Sequence, residues 1–200
     1  HLCQRAANQR SDAHGVGVLG ESGLGSMQAS QLSAEQVPIL IIPAGKALGG
    51  QGALILSKQI IIQHLIETAR PYLFSTAPAP AMAVALSQSL HCLQQQPEHH
   101  ARLQANIQLF TRLASAVKLP ILPSHSAIQP LMVGSNERAL WLAEQMQQKG
   151  FWLSAIRPPT VPLGKARLRI TLTALHQAER SSALVNTLHT LLEQADDLAH

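Results

Sequence analysis

Aromatic side chains are scarce in this sequence: Phe, Trp and Tyr together make up 3% of 200 residues. A nucleic-acid surface wants stacking rings interleaved with clustered Arg and Lys. Here the basic residues are scattered and the net charge is only +4, which argues against that class. Cysteine is nearly missing too. Cys3 and Cys92 give no disulfide framework and fit a reducing compartment, so a cytoplasmic protein is the expectation. No apolar run approaches the ~18 residues that span a bilayer, and the start, His1-Leu2-Cys3-Gln4-Arg5, carries no signal-peptide core. No internal repeat or low-complexity tract is present. What remains, 46% hydrophobic and 13% charged, is the composition of a packed globular protein rather than a disordered one. The length suits one domain, or a small domain plus part of a larger one.

One lysine stands out against this background, in Pro43-Ala44-Gly45-Lys46-Ala47-Leu48-Gly49-Gly50-Gln51-Gly52. An apolar run precedes it (Val37, Ile39, Leu40, Ile41, Ile42) and another comes after it (Ala53, Leu54, Ile55, Leu56). Both are short, aliphatic and bounded by Pro, Gly and Ser, so they read as buried strands. The glycines let a backbone pass close to a bulky ligand. A lysine amine held partly desolvated in such a place becomes a nucleophile or Schiff-base former. On spacing alone, a solvated lysine on a surface loop is the simpler reading. Two phosphate readings fail. A Walker loop needs Gly and then Ser or Thr where Leu40 and Ala47 stand. Gly15-Val16-Gly17-Val18-Leu19-Gly20 matches the dinucleotide fingerprint. However, Asn8-Gln9-Arg10-Ser11-Asp12 ahead of it reads as no strand, and the stretch after it, broken by Gly23 and Gly25, reads as no helix.

Taken in order, residues 1–11 are polar and patternless, and residues 11–26 form a glycine-punctuated loop. Asp12 and His14 lie two apart. In an extended segment they would share a side and could cooperate at a ligand; a turn capped by the Asp fits the spacing better. A helix is predicted from Lys58 to about Ala69, ended by Arg70-Pro71, and Phe74 to Pro80 is a rigid loop with two adjacent hydroxyls. Met82, Leu86, Leu90 and Leu93 predict one helix, and Leu103, Ile107, Phe110, Ala114 and Val117 another. Pro97 between them marks a domain boundary. Beyond Pro120 the order is strand (Ala127–Val133), helix capped by Ser135-Asn136 and stopped by Gly150, strand (Phe151–Ile156), strand (Ala166–Thr173) and helix (about Gln177–Asp196). In the third strand Leu168, Ile170 and Leu172 face one way, while Arg167, Arg169, Thr171 and Thr173 face the other. This second half reads as a compact α/β sandwich. His91, His99, His100 and His125, with Cys92, sit on exposed helix and loop positions without ligand spacing, so no metal site is expected.

Five stretches then appear in order: Asp12-Ala13-His14-Gly15; Gly20-Glu21-Ser22-Gly23-Leu24-Gly25-Ser26; Gly45-Lys46-Ala47-Leu48-Gly49; Phe74-Ser75-Thr76; and Ser154-Ala155-Ile156-Arg157-Pro158-Pro159-Thr160-Val161-Pro162. From Asp12 to about Leu192 the chain resembles the α-oxoamine synthases, pyridoxal 5'-phosphate (PLP) enzymes of the aspartate aminotransferase fold (fold type I). The Arg-Pro-Pro-Thr-Val-Pro run, with Ala166 to Ala174 after it, is most similar to the branch that joins L-alanine to a pimeloyl thioester in biotin synthesis. The aminoketobutyrate and aminolevulinate branches remain alternatives.

The resemblance implies an α/β fold in which residues 1–96 are part of the large PLP-binding domain and 97–200 the small C-terminal domain. Lys46 would hold the cofactor and then act as acid and base. His14 would sit at the cofactor's ring oxygen, with Asp12 beside it in the cofactor-binding set. Ser75 and Thr76 would reach the phosphate in the neighbouring subunit of a homodimer. Arg169 would take the amino-acid carboxylate, a task that suits a guanidinium. Thr160 and Arg157 would line the substrate side. Two positions depart from the family pattern: Ser11 stands where an acidic residue pairs with the pyridine nitrogen, and Pro43 where a Thr contacts the phosphate. The family's first half is missing. A catalytically impaired remnant or partner subunit is therefore a second reading, and an unrelated binding domain a distant third.

Overall fold

The computed structural model describes residues 9–197. Cys3 and the rest of the polar stretch up to position 8 lie outside the described residues. The chain divides into two compact units, residues 1–100 and 101–200.

The first unit holds a three-stranded sheet of β1 (Gln9–Ser11), β2 (Ile39–Pro43) and β3 (Ala53–Ser57), in that order. β1 runs parallel to β2, with Arg10 opposite Leu40, and β2 is antiparallel to β3, with Ile41 opposite Ile55. β1 corrects the expectation that the residues before Asp12 form no strand. A parallel edge strand is held by backbone pairing, and Asp12 N–H extends the ladder to Ile41 O at 2.8 Å, so polar side chains do not prevent it. The helices are α1 (Ser26–Ala29), α2 (Gln59–Thr68), the single turn α3 (Arg70–Leu73) and α4 (Pro80–Gln95). The two apolar strands are not buried as their composition suggested. Only Leu40 of β2 is buried, and in β3 Ile55 and Leu56 are nearly half exposed. β3 is an edge strand with one neighbour, and α2, which packs on it, itself buries no residue. Among the described residues, Ala44, Leu48 and Leu86 form a buried cluster surrounded by Val16, Ile42, Leu54, Met82 and Leu93.

α5 (Pro97–Ala116) begins at the end of the first unit and runs into the second, where it leads to β4 (Ile128–Gly134), α6 (Asn136–Gln148), β5 (Ser154–Ile156), β6 (Ala166–Thr171) and α7 (Ala178–Asp197). The sheet is antiparallel, with β6 between β4 and β5. The alternation along β6 is realised: Leu168, Ile170 and Leu172 are buried, while Arg169, Thr171 and Thr173 are exposed and Arg167 is half-buried. Leu131, Leu142, Met146, Phe110 and Leu188 complete a core with almost no solvent contact. The Ser135 hydroxyl caps α6 by accepting from Arg138 N–H at 3.2 Å.

The strand expected from Phe151 begins only at Ser154. Gly150 (φ 82°) ends α6 in a left-handed turn, and Phe151 N–H donates back to Met146 O at 2.9 Å. Phe151 is therefore spent on the helix cap rather than on a ladder. The histidines also differ from expectation. His99 and His100 are half-buried, and a His100 ring nitrogen lies 3.1 Å from Val18 O.

Candidate functional site

Lys46 lies in the connection between β2 and β3. Its flanking residues Ala44 and Leu48 are buried, whereas Gly45, Lys46 and Ala47 are exposed. The base of the turn is tied by Ala44 N–H to Gly52 O and Gly50 N–H to Ala44 O, both 2.9 Å. Its far side is tied by the Ser89 hydroxyl of α4, which donates to Leu48 O at 2.8 Å. At Gly50 a Cβ would lie 2.5 Å from the end of the Leu86 side chain, so a larger residue there would push Leu86 aside. Lys46 is therefore exposed rather than partly desolvated, on a turn whose neighbours Ala44 and Leu48 are anchored in a buried cluster with Leu86.

Asp12 and His14 do not share a face. The chain turns after Asp12, whose side chain is 4% exposed, and His14 is exposed. The Asp12 carboxylate accepts from Ser26 N–H at 2.8 Å and from the Ser26 hydroxyl at 2.5 Å. It caps a residue 14 positions away rather than its own backbone, and it packs so closely that a Cβ on either Gly15 or Gly25 would collide with it. The loop it closes is internally bonded: Gly17 N–H donates to Gly23 O at 2.7 Å and Gly25 N–H to Leu19 O at 2.9 Å. Gln28 Oε1 also accepts from the N–H groups of Ser22 and Leu24. At Gly17 (φ 79°) a Cβ would lie 3.0 Å from that of Ala47. The structure therefore packs the His14 loop directly against the Lys46 turn.

Ser75 and Thr76 stand exposed on the loop between α3 and α4. In the second unit Arg169 is exposed on the outer face of β6, opposite Ser154 of β5 and Pro130 of β4. Arg157 comes directly after β5, and its carbonyl accepts from Thr160 N–H at 3.0 Å; both residues are exposed. Arg167 shares the outer face with Arg169. Sequence reasoning did not single out Ser26, Gln28 or Ser89, which hold the two loops in place. Ser26 after Gly25 is a helix-start signal that carried part of that information; Gln28 and Ser89 act across 4–6 and 41 residues and left no local signal.

The family model for aminotransferase class I and II matches residues 11–188 of this chain. An 8-amino-7-oxononanoate synthase from Serratia proteamaculans is 48% identical over 94% of this chain and 49% of its own length. One from Stenotrophomonas maltophilia is 43% identical over 92% and 45%. Among solved structures, the 8-amino-7-oxononanoate synthase from Francisella tularensis superposes with a TM-score of 0.84 at 28% identity, covering 92% of this chain and 54% of that one. A serine palmitoyltransferase from S. paucimobilis with bound PLP gives 0.83 at 22% identity, covering 90% and 46%, which speaks to fold alone. The chain spans about half the length of the curated relatives it matches. Among the described residues no helix is long and apolar enough to cross a membrane. The match from residue 11 to residue 188 decides the family: the chain belongs to the aminotransferase class I and II family and has the PLP-dependent type I fold.

Proposed function

We propose that this chain corresponds to the C-terminal half of a synthase that joins L-alanine to a pimeloyl thioester, on coenzyme A or acyl carrier protein, giving 8-amino-7-oxononanoate and carbon dioxide in biotin synthesis. Residues 1–96 belong in this reading to the large cofactor domain and 97–200 to the small domain of a cytoplasmic homodimer. The observation that carries the reading is Lys46, presented outward from a turn pinned at both sides and backed by the His14 loop. That geometry fits a group held covalently by an amine. The identity to the Serratia relative over nearly the whole chain supports the same reaction class.

PLP, when bound, supplies the electron sink. Lys46 holds it and then moves the proton at the substrate's Cα. His14 positions the ring from the packed loop, and the Ser75 and Thr76 hydroxyls hold phosphate across the subunit boundary. Arg169 offers a planar guanidinium to the amino-acid carboxylate, with Arg157 and Thr160 beside the acyl substrate. Asp12 is assigned differently from the sequence expectation. Its carboxylate is committed to Ser26, so it anchors the His14 loop instead of touching the cofactor.

The test is to load the purified chain with PLP, reduce with borohydride and map the label by peptide mass spectrometry. Label on Lys46, lost in Lys46→Ala, is expected; label spread evenly over Lys58, Lys118, Lys149 and Lys165 would overturn the reading. The second reading, a remnant or partner subunit that binds cofactor weakly or not at all, is favoured by Ser11 and Pro43. It predicts no specific label on Lys46 and no product from L-alanine and pimeloyl-CoA.

A further inference from the structure

A cavity of about 250 Å³ lies wholly within the second unit, between the start of α7 and the segment after α6. It is at the small end of ligand-site volumes. Its apolar walls come from Phe151, Leu172 and Leu184, and the exposed Trp152 (82%) stands at its edge. Three hydrogen-bond donors border it, and each is incompletely used.

Arg180 lies over the Phe151 ring, 4.8 Å from the centroid, and spends one guanidinium N–H on Gly150 O at 3.2 Å. No carboxylate pairs with it among the described residues, so most of its five donors are uncommitted. His176 accepts from Thr173 N–H through Nδ1 at 3.3 Å, which leaves Nε2 as the donor of the neutral ring. Ser181 lines the cavity, and its hydroxyl, which keeps some solvent contact, makes no hydrogen bond to another described residue.

A cation with no carboxylate partner among the described residues, an imidazole donor and an uncommitted hydroxyl around a partly apolar pocket are complementary to one chemical class. We propose that this cavity binds a small carboxylate with an apolar body, its anionic end met by Arg180, Ser181 and His176 and its hydrocarbon end by Phe151, Leu172 and Leu184. The site does not involve Lys46, and it stands or falls independently of the proposed synthase reaction.

Hexanoate, hexanol and hexylamine serve as probes of matched size. Each is titrated against the full chain carrying Trp141→Phe, so that Trp152 is the only fluorophore of its kind. Hexanoate should give a saturable change in Trp152 emission, hexanol should bind at least tenfold more weakly, and hexylamine should not saturate. Arg180→Gln should weaken hexanoate about tenfold and Ser181→Ala severalfold, with circular dichroism unchanged. Ligand-observed NMR on the unsubstituted chain repeats the comparison if Trp141→Phe perturbs folding. A response to hexanoate that never saturates, equal affinity for hexanol, or an unchanged affinity in Arg180→Gln overturns the proposal.

Discussion

The two units contain sheets of equal strand number and nothing else about their packing is alike. Among the described residues, 1–100 contribute five of the buried hydrophobic side chains and 101–200 contribute twenty. Exposure runs the other way. Ile55, Leu56, Ile60, Ile66, Tyr72, Leu73, Phe74 and Val84 stand open in the first unit, within a stretch of thirty residues that the hydrophobic effect would ordinarily fold inward. The second unit turns one sheet face onto its helices and closes a core by itself. Among the described residues, the first leaves an apolar edge strand half exposed and buries no residue of α2, an arrangement suited to cover by further polypeptide. Function divides along the same line: the candidate cofactor lysine sits in the open unit, and the candidate carboxylate-binding arginine on the self-sufficient one.

The sharpest way to break this comparison is a matched pair of truncations. Leu168→Ala removes a fully buried side chain from the centre of the second sheet and should cost about 2–5 kcal/mol. Ile60→Ala removes one that is 79% exposed and should change stability by no more than about 0.5 kcal/mol. Both tryptophans, Trp141 and Trp152, lie in the second unit, so urea melts monitored by their fluorescence read that unit alone. If Ile60→Ala shifted this melt as far as Leu168→Ala, the two units would not be separate bodies.

A smaller effect is expected inside the first unit. Asp12→Ala leaves Ser26 without its charged partner, and hydrogen bonds to charged groups contribute about 1.5–3 kcal/mol each. Hydrogen exchange should show residues 15–26 losing protection while residues 128–192 keep theirs. Protection unchanged at Gly17 and Gly25, whose amides close the loop, would remove Asp12 as its anchor.

Legibility in the sequence divides between the units in the same way. In the second unit periodicity reports burial faithfully, because each apolar stripe meets a partner within the unit. The alternation from Ala166 to Thr171 and the stripe of Leu184, Leu188, Leu191 and Leu192 were all legible for that reason. In the first unit the same grammar misled. Val37 to Ile42 and Ala53 to Leu56 announce burial, and the strands form, but the chain supplies little to bury most of them. β1 was invisible because a strand of three polar residues is specified by its neighbour's backbone rather than by its own side chains. At the candidate site, Lys46 stood out by its glycine-rich setting, whereas His14 and Arg169 were singled out only by the family resemblance. The supports were not legible, because Ser89 reaches Leu48 across 41 residues and Asp12 reaches Ser26 across 14.

The finest test of the comparison concerns helix ends, where the effects are smallest. α6 in the second unit begins with a serine whose hydroxyl is bonded to Arg138 N–H. α2 in the first begins with Lys58, which has the extended backbone of a cap residue (φ −64°, ψ 146°) but no side-chain bond to the helix. A cationic side chain there also opposes the positive end of the helix dipole. Ser135→Ala should therefore lower the stability of the second unit by about 1 kcal/mol. Lys58→Ser supplies the missing acceptor at a position whose backbone already suits it, and should stabilise α2 by up to about 1 kcal/mol, read as slower exchange at Ile61 and Ile62. The gain should be local, because α2 buries none of its residues and has little packing through which to pass it on. If the exchange of β2 amides slowed equally, α2 would be coupled to the sheet more tightly than its exposure allows, and the first unit would have to be regarded as a cooperative body like the second.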